Sequence, residues 1–172
     1  PGLSGGSEWS PLAYSPQTGL VYIAAVEKPM LYVIESLLNP YPDMSLGGIA
    51  LVPDNVAPTG AFVAIDVNTG LVRWRTRVTP HPVGGVLATA GGLLFAGESA
   101  GKFDALDAET GRVLWQFQTG AGVNAAPMTY QINGRQYVAI ASGGLAMESL
   151  TSGQAGATNF RRGTTLFVFA LR

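Results

Sequence analysis

The feature that most constrains this chain is a repeat. Residues 60–74 read GAFVAIDVNTGLVRW and residues 101–115 read GKFDALDAETGRVLW, an ungapped match 41 residues apart with eight of fifteen positions identical. A period of about 40 residues is that of a four-stranded propeller blade. In each copy Phe62–Asp66 and Phe103–Asp107 alternate as strands. Asn68-Thr69-Gly70 and Glu109-Thr110-Gly111 then form tight turns, with glycine supplying the positive φ a hairpin needs. Asp66 and Asp107 are placed to accept hydrogen bonds from the turn amides. Trp74 and Trp115 follow on the next strand, where a large flat ring can cover the neighbouring blade. The repeat residues Ala64, Asp66, Thr69, Gly70 and Trp74, with Ala105, Asp107, Thr110, Gly111 and Trp115, therefore read as structural rather than catalytic.

A second hairpin pattern precedes the repeat. Trp9–Tyr14 leads through Ser15-Pro16-Gln17-Thr18-Gly19 into Leu20–Ala24, Gly85–Thr89 through Ala90-Gly91-Gly92 into Leu93–Ala96, and Ala125–Tyr130 through Ile132-Asn133-Gly134 into Gln136–Ala141. No useful length has a helical period, so the class is all-β. Residues 1–172 are expected to form one partial β-propeller domain: a blade over 9–78, a second over 84–118, and an incomplete third over 123–171. In the third, Phe169-Ala170-Leu171 aligns with Val63-Ala64-Ile65 and no Thr-Gly turn or Trp-bearing outer strand follows. About two and three-quarter blades cannot close a ring, which takes ~4–8. An open edge of this kind calls for cover, either by missing upstream blades or by another copy of the chain.

Two long segments, Glu27–Thr59 and Gly144–Arg162, interrupt the strands and are expected on one face as loops able to line a ligand mouth. Glu35 and Asp43 in the first are candidates for that mouth. The Gly-Gly pairs at 47–48, 84–85, 91–92 and 143–144 read as turn glycines, none placed between a strand and a helix as a phosphate loop requires.

Composition narrows the function. Hydrophobic residues make up 47% and charged residues 12%, which excludes a disordered chain. A net charge of −1 gives no basic field for nucleic acid or an anionic membrane, and there is no apolar run of transmembrane length. With no cysteine, disulfides, Cys-ligated zinc and covalently attached haem are excluded. His81, the sole histidine, lies between Pro80 and Pro82 as a loop residue and cannot build a multi-histidine metal site. No nucleophile-elbow pattern supports Ser-His-Asp catalysis.

The repeat Ala-x-Asp-x-x-Thr-Gly-x-x-x-Trp at Ala64–Trp74 and Ala105–Trp115 resembles the tryptophan-docking motif of the quinoprotein dehydrogenases. The segments Gly5–Tyr14 (GGSEWSPLAY), Gly84–Gly97 (GGVLATAGGLLFAG) and Pro127–Val138 are similar to those of the alcohol-dehydrogenase-like branch, and the likeness covers essentially the whole chain. This resemblance implies an eight-bladed, bacterial, periplasmic propeller that holds pyrroloquinoline quinone (PQQ), with Ca²⁺ in the full-length enzyme. It further implies an oxidoreductase that passes hydride from an alcohol or sugar to the quinone. The catalytic residues and metal ligands it implies lie outside this segment. The cofactor-contacting positions it carries over are Glu8 and Trp9, and Glu8 stands where the family has Asn. Val83 and Gly143-Gly144-Leu145 likewise depart from positions where many members carry Trp. The alternative these departures leave open is a non-catalytic propeller scaffold, or a self-assembling propeller fragment, that binds partner proteins.

Overall fold

The computed structural model describes residues 2, 5–7, 9–34, 48–51, 53, 56, 58–143 and 163–170. Its regular elements are all strands: β1 (Ala13–Ser15), β2 (Leu20–Glu27), β3 (Leu31–Ile34), β4 (Gly48–Leu51), β5 (Thr59–Asp66), β6 (Val72–Val78), β7 (Val86–Ala88), β8 (Leu93–Gly97), β9 (Lys102–Asp107), β10 (Val113–Gln118), β11 (Met128–Ile132), β12 (Arg135–Gly143) and β13 (Thr164–Ala170). They pair antiparallel into a first sheet β1-β2-β5-β6, a second β7-β8-β9-β10 and a third β11-β12-β13, with β3-β4 as a separate ribbon. The third sheet has three strands where the other two have four.

Local chemistry fixes the two repeat hairpins. After β5, Asp66 Oδ1 accepts from the amides of Asn68 (2.9 Å) and Thr69 (3.2 Å), and Gly70 N donates to Asp66 O with φ of 72°. After β9, Asp107 Oδ1 accepts from Glu109 N (3.0 Å), Thr110 N (2.8 Å) and Thr110 Oγ1 (2.9 Å), and Gly111 takes φ of 73°. Because these bonds go to the ionised carboxylate, the Asn68 amide holds Asp66 below its ordinary range and the Thr110 amide does the same for Asp107.

The two middle strands of the second sheet, β8 and β9, are buried on both faces. Leu94, Ala96 and Leu106 meet Tyr22, Phe62 and Ala64 of the first sheet. Their alternate neighbours Phe95, Phe103 and Ala105 meet Val138 and Ile140 of the third. Period-two alternation puts successive side chains on opposite faces, so a strand apolar at nearly every position serves two interfaces. Trp74 reaches across the first interface: its Nε1 donates to Ala108 O at 3.0 Å, and its ring lies against Gly111, whose Cβ, if present, would sit 2.6 Å from Trp74 Cδ2. Beside it Thr76 Oγ1 donates to Gly111 O at 2.6 Å. Trp115 has no such turn to cover among the described residues and packs edge-on to Phe169, with ring centroids 5.1 Å apart.

The structure departs from the sequence reading in two places. β1 and β7 are shorter than the patterns 9–14 and 85–89 suggest, Pro11 lying against the neighbouring sheet, where its carbonyl accepts from Val86 N at 3.1 Å, while β11 begins and ends later than the pattern 125–130 suggests. Part of the Glu27–Thr59 segment is also strand rather than loop, β3 and β4 pairing from Leu31↔Leu51 to Ile34↔Gly48. Leu31, Tyr32 and Leu51 are exposed on this ribbon.

Gly70 and Gly111 separate backbone strain from contact. Both have positive φ, but a Cβ at Gly70 would meet nothing within 4 Å. Gly70→Ala is expected to cost about 1–2 kcal/mol for the left-handed backbone alone. Gly111→Ala should cost a further 1–3 kcal/mol or so, because the methyl displaces Trp74. Chemical denaturation of the two variants measures the difference.

Candidate functional site

The sequence points to the end of the sheets where the inner strands begin. Three entering segments, 9–12, 83–85 and 123–127, converge there. Ser10 Oγ donates to Val83 O at 2.7 Å, joining the first two. A Cβ on Gly85 would sit 2.5 Å from Pro11 Cγ, and one on Gly84 would sit 2.7 Å from Ala125 O. Neither glycine has positive φ. The 84–85 pair is therefore a close-approach glycine pair, not a turn: two neighbouring backbones leave no room for a side chain. Gly91-Gly92 does behave as a turn, with Gly92 at φ of 77°. Positions 47 and 144 lie outside the described residues.

Trp9 stands at this end with 64% of its surface exposed, a flat apolar wall facing outward. Glu8, Glu35 and Asp43 lie outside the described residues. Val83 is half-buried between Ser10 and the two glycines. His81 is indeed in a connecting segment, between β6 and β7, but it is buried rather than solvated. The reason is Gly60, whose missing side chain lets Pro82 and His81 lie against β5; a Cβ there would be 2.8 Å from His81 Cβ. Asp66 and Asp107 are at the opposite ends of their strands from the entering segments, with their carboxylates committed to turn amides. Ala64 and Ala105 lie in the two inter-sheet cores.

The turn between β8 and β9, Glu98–Gly101, sits between the entering segments of β7 and β11. Val123 N donates to Glu98 O (3.1 Å) and Ser99 Oγ donates to His81 O (2.6 Å). Glu98 and Asp104 are both buried, and Gln116 Nε2 donates to Asp104 Oδ1 at 2.7 Å. Burial, together with Asp104 as hydrogen-bond partner and neighbouring charge, pushes the Glu98 carboxyl up to about 7, against the weaker pull of Lys102. The sequence reading missed this pair. Its available signal was the repeat itself, where Asp104 takes the place of Val63 in an apolar strand.

The residues present can be tested against a quinone and a calcium ion. The described part of the face offers the exposed indole of Trp9, the Asn124 amide, and the hydroxyls of Ser10 and Ser99, which are committed to Val83 O and His81 O. Among the described residues no cluster of three or more His, Cys, Asp or Glu side chains could hold a metal ion. These residues do not fit either group by themselves; they supply part of a wall.

The family model for the glucose/ethanol/alcohol dehydrogenase β-propeller domain, the PQQ propeller, matches residues 47–138. The chain belongs to this PQQ propeller family. It is 36% identical over 176 residues to the quinohemoprotein alcohol dehydrogenase ADH IIB of Pseudomonas putida, covering 99% of this chain and 26% of that protein. It is 42% identical over 147 residues to the 1-butanol dehydrogenase (quinone) of Thauera butanivorans, covering 83% of this chain and 23% of that protein. Among solved structures, a europium-containing methanol dehydrogenase superposes with a TM-score of 0.82 at 32% identity, over 98% of this chain and 34% of that one. The quinohemoprotein alcohol dehydrogenase of Comamonas testosteroni superposes with a TM-score of 0.80 at 27% identity, over 96% and 26%. The chain thus spans about a quarter of the length of the curated relatives it matches. The solved relatives that superpose on this chain are quinoprotein dehydrogenases of the same propeller family.

Close approach at the inner ends should be intolerant of side chains. Gly85→Ala is expected to lower stability by about 1–3 kcal/mol through collision with Pro11. Gly91→Ala, whose Cβ would meet only Thr89 Oγ1 at 3.9 Å, should be nearly neutral. Denaturant midpoints of the two variants check this.

Proposed function

We propose that this chain forms part of the propeller of a PQQ-dependent quinoprotein dehydrogenase that oxidises an alcohol or sugar, acting in the periplasm. The carrying observation is the family match across 47–138, on blades whose inner-strand entries converge at one end with Trp9 exposed there. When bound, the quinone supplies the hydride acceptor and Ca²⁺ the Lewis acid. This chain's own residues supply shape. Gly84 and Gly85 let the inner strands approach closely, and Ser10 pins the first entering segment to the second. The Trp9 indole offers a flat apolar surface on which a planar ring can stack. Glu8, adjacent to it, is assigned the remaining cofactor contact. A carboxylate there disfavours a polyanionic quinone unless it is protonated or bound to a metal ion. The residues that accept the substrate proton and ligate the metal are assigned to the rest of the propeller. The Trp74 and Trp115 repeats correspond to the tryptophan-docking motif.

A second reading rests on a separate observation. The side of the third sheet turned away from the second exposes Met128, Ile132, Leu166 and Val168, while Phe167 and Phe169 on the other side pack against Phe117 and Trp115. A face this apolar is a packing surface. In the dehydrogenase reading, the next blade covers it. In a scaffold or self-assembling fragment, a partner protein or another copy does.

Intact mass with PQQ and Ca²⁺ titration, followed by absorbance, distinguishes these readings. The dehydrogenase reading expects a chain several times longer than this segment, saturable quinone binding and alcohol-dependent dye reduction, with binding weakened roughly tenfold by Trp9→Ala, the loss of one stacking contact. A mass equal to one copy or a small multiple, with no quinone binding, contradicts it and supports the second reading.

A further inference from the structure

Asp104 is an acidic residue in the middle of β9, between Phe103 and Ala105, and its surface is 1% exposed; Glu98, at the start of the adjoining turn, is 5% exposed. Asp104 pairs across the sheet with Ala96 of β8 and Gln116 of β10, so its side chain shares the face turned toward the first sheet. Gln116 Nε2 donates to Asp104 Oδ1 at 2.7 Å. Glu98 continues the line of β8, its amide bonded to Lys102 O, so its side chain falls on the same face as that of Asp104, its diagonal neighbour across the hairpin, and both carboxyls are buried there. Two ionised carboxylates are acceptors only and repel each other, so this buried pair can join by a hydrogen bond only when one of them carries a proton.

The surroundings favour keeping that proton. From the first sheet, β6 presents Trp74, Thr76 and Val78 to this side, none of them ionisable. β10 presents the neutral Gln116. Lys102 of β9 acts on Glu98 as a cation, more weakly than burial and Asp104. Among the described residues, Tyr22 of β2 also faces this side, and His81 lies in the buried segment whose carbonyl Ser99 holds.

Glu98 also anchors a junction through its main chain. Its amide donates to Lys102 O (2.8 Å), and its carbonyl accepts from Gly101 N (2.9 Å) and Val123 N (3.1 Å). Ser99 Oγ holds His81 O at 2.6 Å. Gly97 completes the contact, since a Cβ there would lie 2.7 Å from Val123 Cβ. One four-residue turn thereby ties the segment entering β7 to the segment entering β11.

We propose that Glu98 and Asp104 share a single proton that latches the Glu98–Gly101 turn, making it a pH-sensitive junction between neighbouring blades at the end where the inner strands begin. The inference is independent of quinone binding. With the Glu98 carboxyl raised to about 7 in the closed turn, opening to solvent returns it to the ordinary carboxylate range and releases the proton. The latch therefore contributes fully below the ordinary glutamate range, loses strength as pH rises toward about 7, and changes little above that.

Amide hydrogen exchange of Val123, whose N–H is bonded to Glu98 O, reads the latch directly. After correction for the intrinsic rate, its protection should fall by roughly tenfold per pH unit between about pH 5 and 7 and then level off. In Glu98→Gln, which keeps a donor and cannot ionise, the profile should be flat. A flat wild-type profile overturns the proposal, as does an E98Q profile that tracks the wild type and so assigns the dependence to another group. Should E98Q fail to fold, the carboxyl ¹³C shift of Glu98 in the wild-type protein decides. A midpoint near 7 supports the shared proton, and one in the ordinary glutamate range overturns it.

Discussion

The blades hold together because Trp74 crosses from one sheet to the turn of the next. Its ring needs a flat, open place to lie, and Gly111 provides it. Its N–H needs an acceptor, and Ala108 O provides that at 3.0 Å. The same Gly111 is required by the hairpin for its positive φ, so one residue serves both the turn and the interface. With the indole docked, the apolar sides of β2, β5, β8 and β9 are closed against each other. Where no following turn is present among the described residues, at Trp115, the indole settles instead into an aromatic cluster with Phe117 and Phe169. The docking geometry thus depends on the receiving turn as much as on the tryptophan.

This stacking positions the functional end. Once the sheets face each other at the distance the docked indole sets, the segments entering the inner strands collide unless they carry glycine, as they do at 84 and 85. The converging segments then place Trp9 outward and bring the β8–β9 turn between them, where a buried carboxyl pair sits under the junction. The face is shaped by backbone proximity, and the described residues add few polar side chains to it.

Much of this was legible in the sequence, for a physical reason. The repeat hairpins are local: Asp66 to Thr69 and Asp107 to Thr110 are bonded within three residues, so spacing alone reveals them. What escaped was set by contacts distant in the chain. β1 and β7 stop short where Pro11 bonds Val86, and the approach of Pro11 and Ala125 gave Gly84-Gly85 a role that no dipeptide pattern distinguishes from a turn. The β3–β4 ribbon lay hidden in a proline-rich segment. The Glu98–Asp104 pair was passed over because each carboxyl, taken singly, reads as a surface charge; only the substitution of Asp104 for Val63 between repeat copies marked it.

Indole N–H exchange across the tryptophans tests most directly whether Trp74 docks on the next sheet through its part-buried hydrogen bond to Ala108 O. The account predicts that Trp74 Nε1–H exchanges far more slowly than that of the exposed Trp9, and no faster than the backbone amides of β8 and β9. A Trp74 indole that exchanges as quickly as that of Trp9 would contradict it.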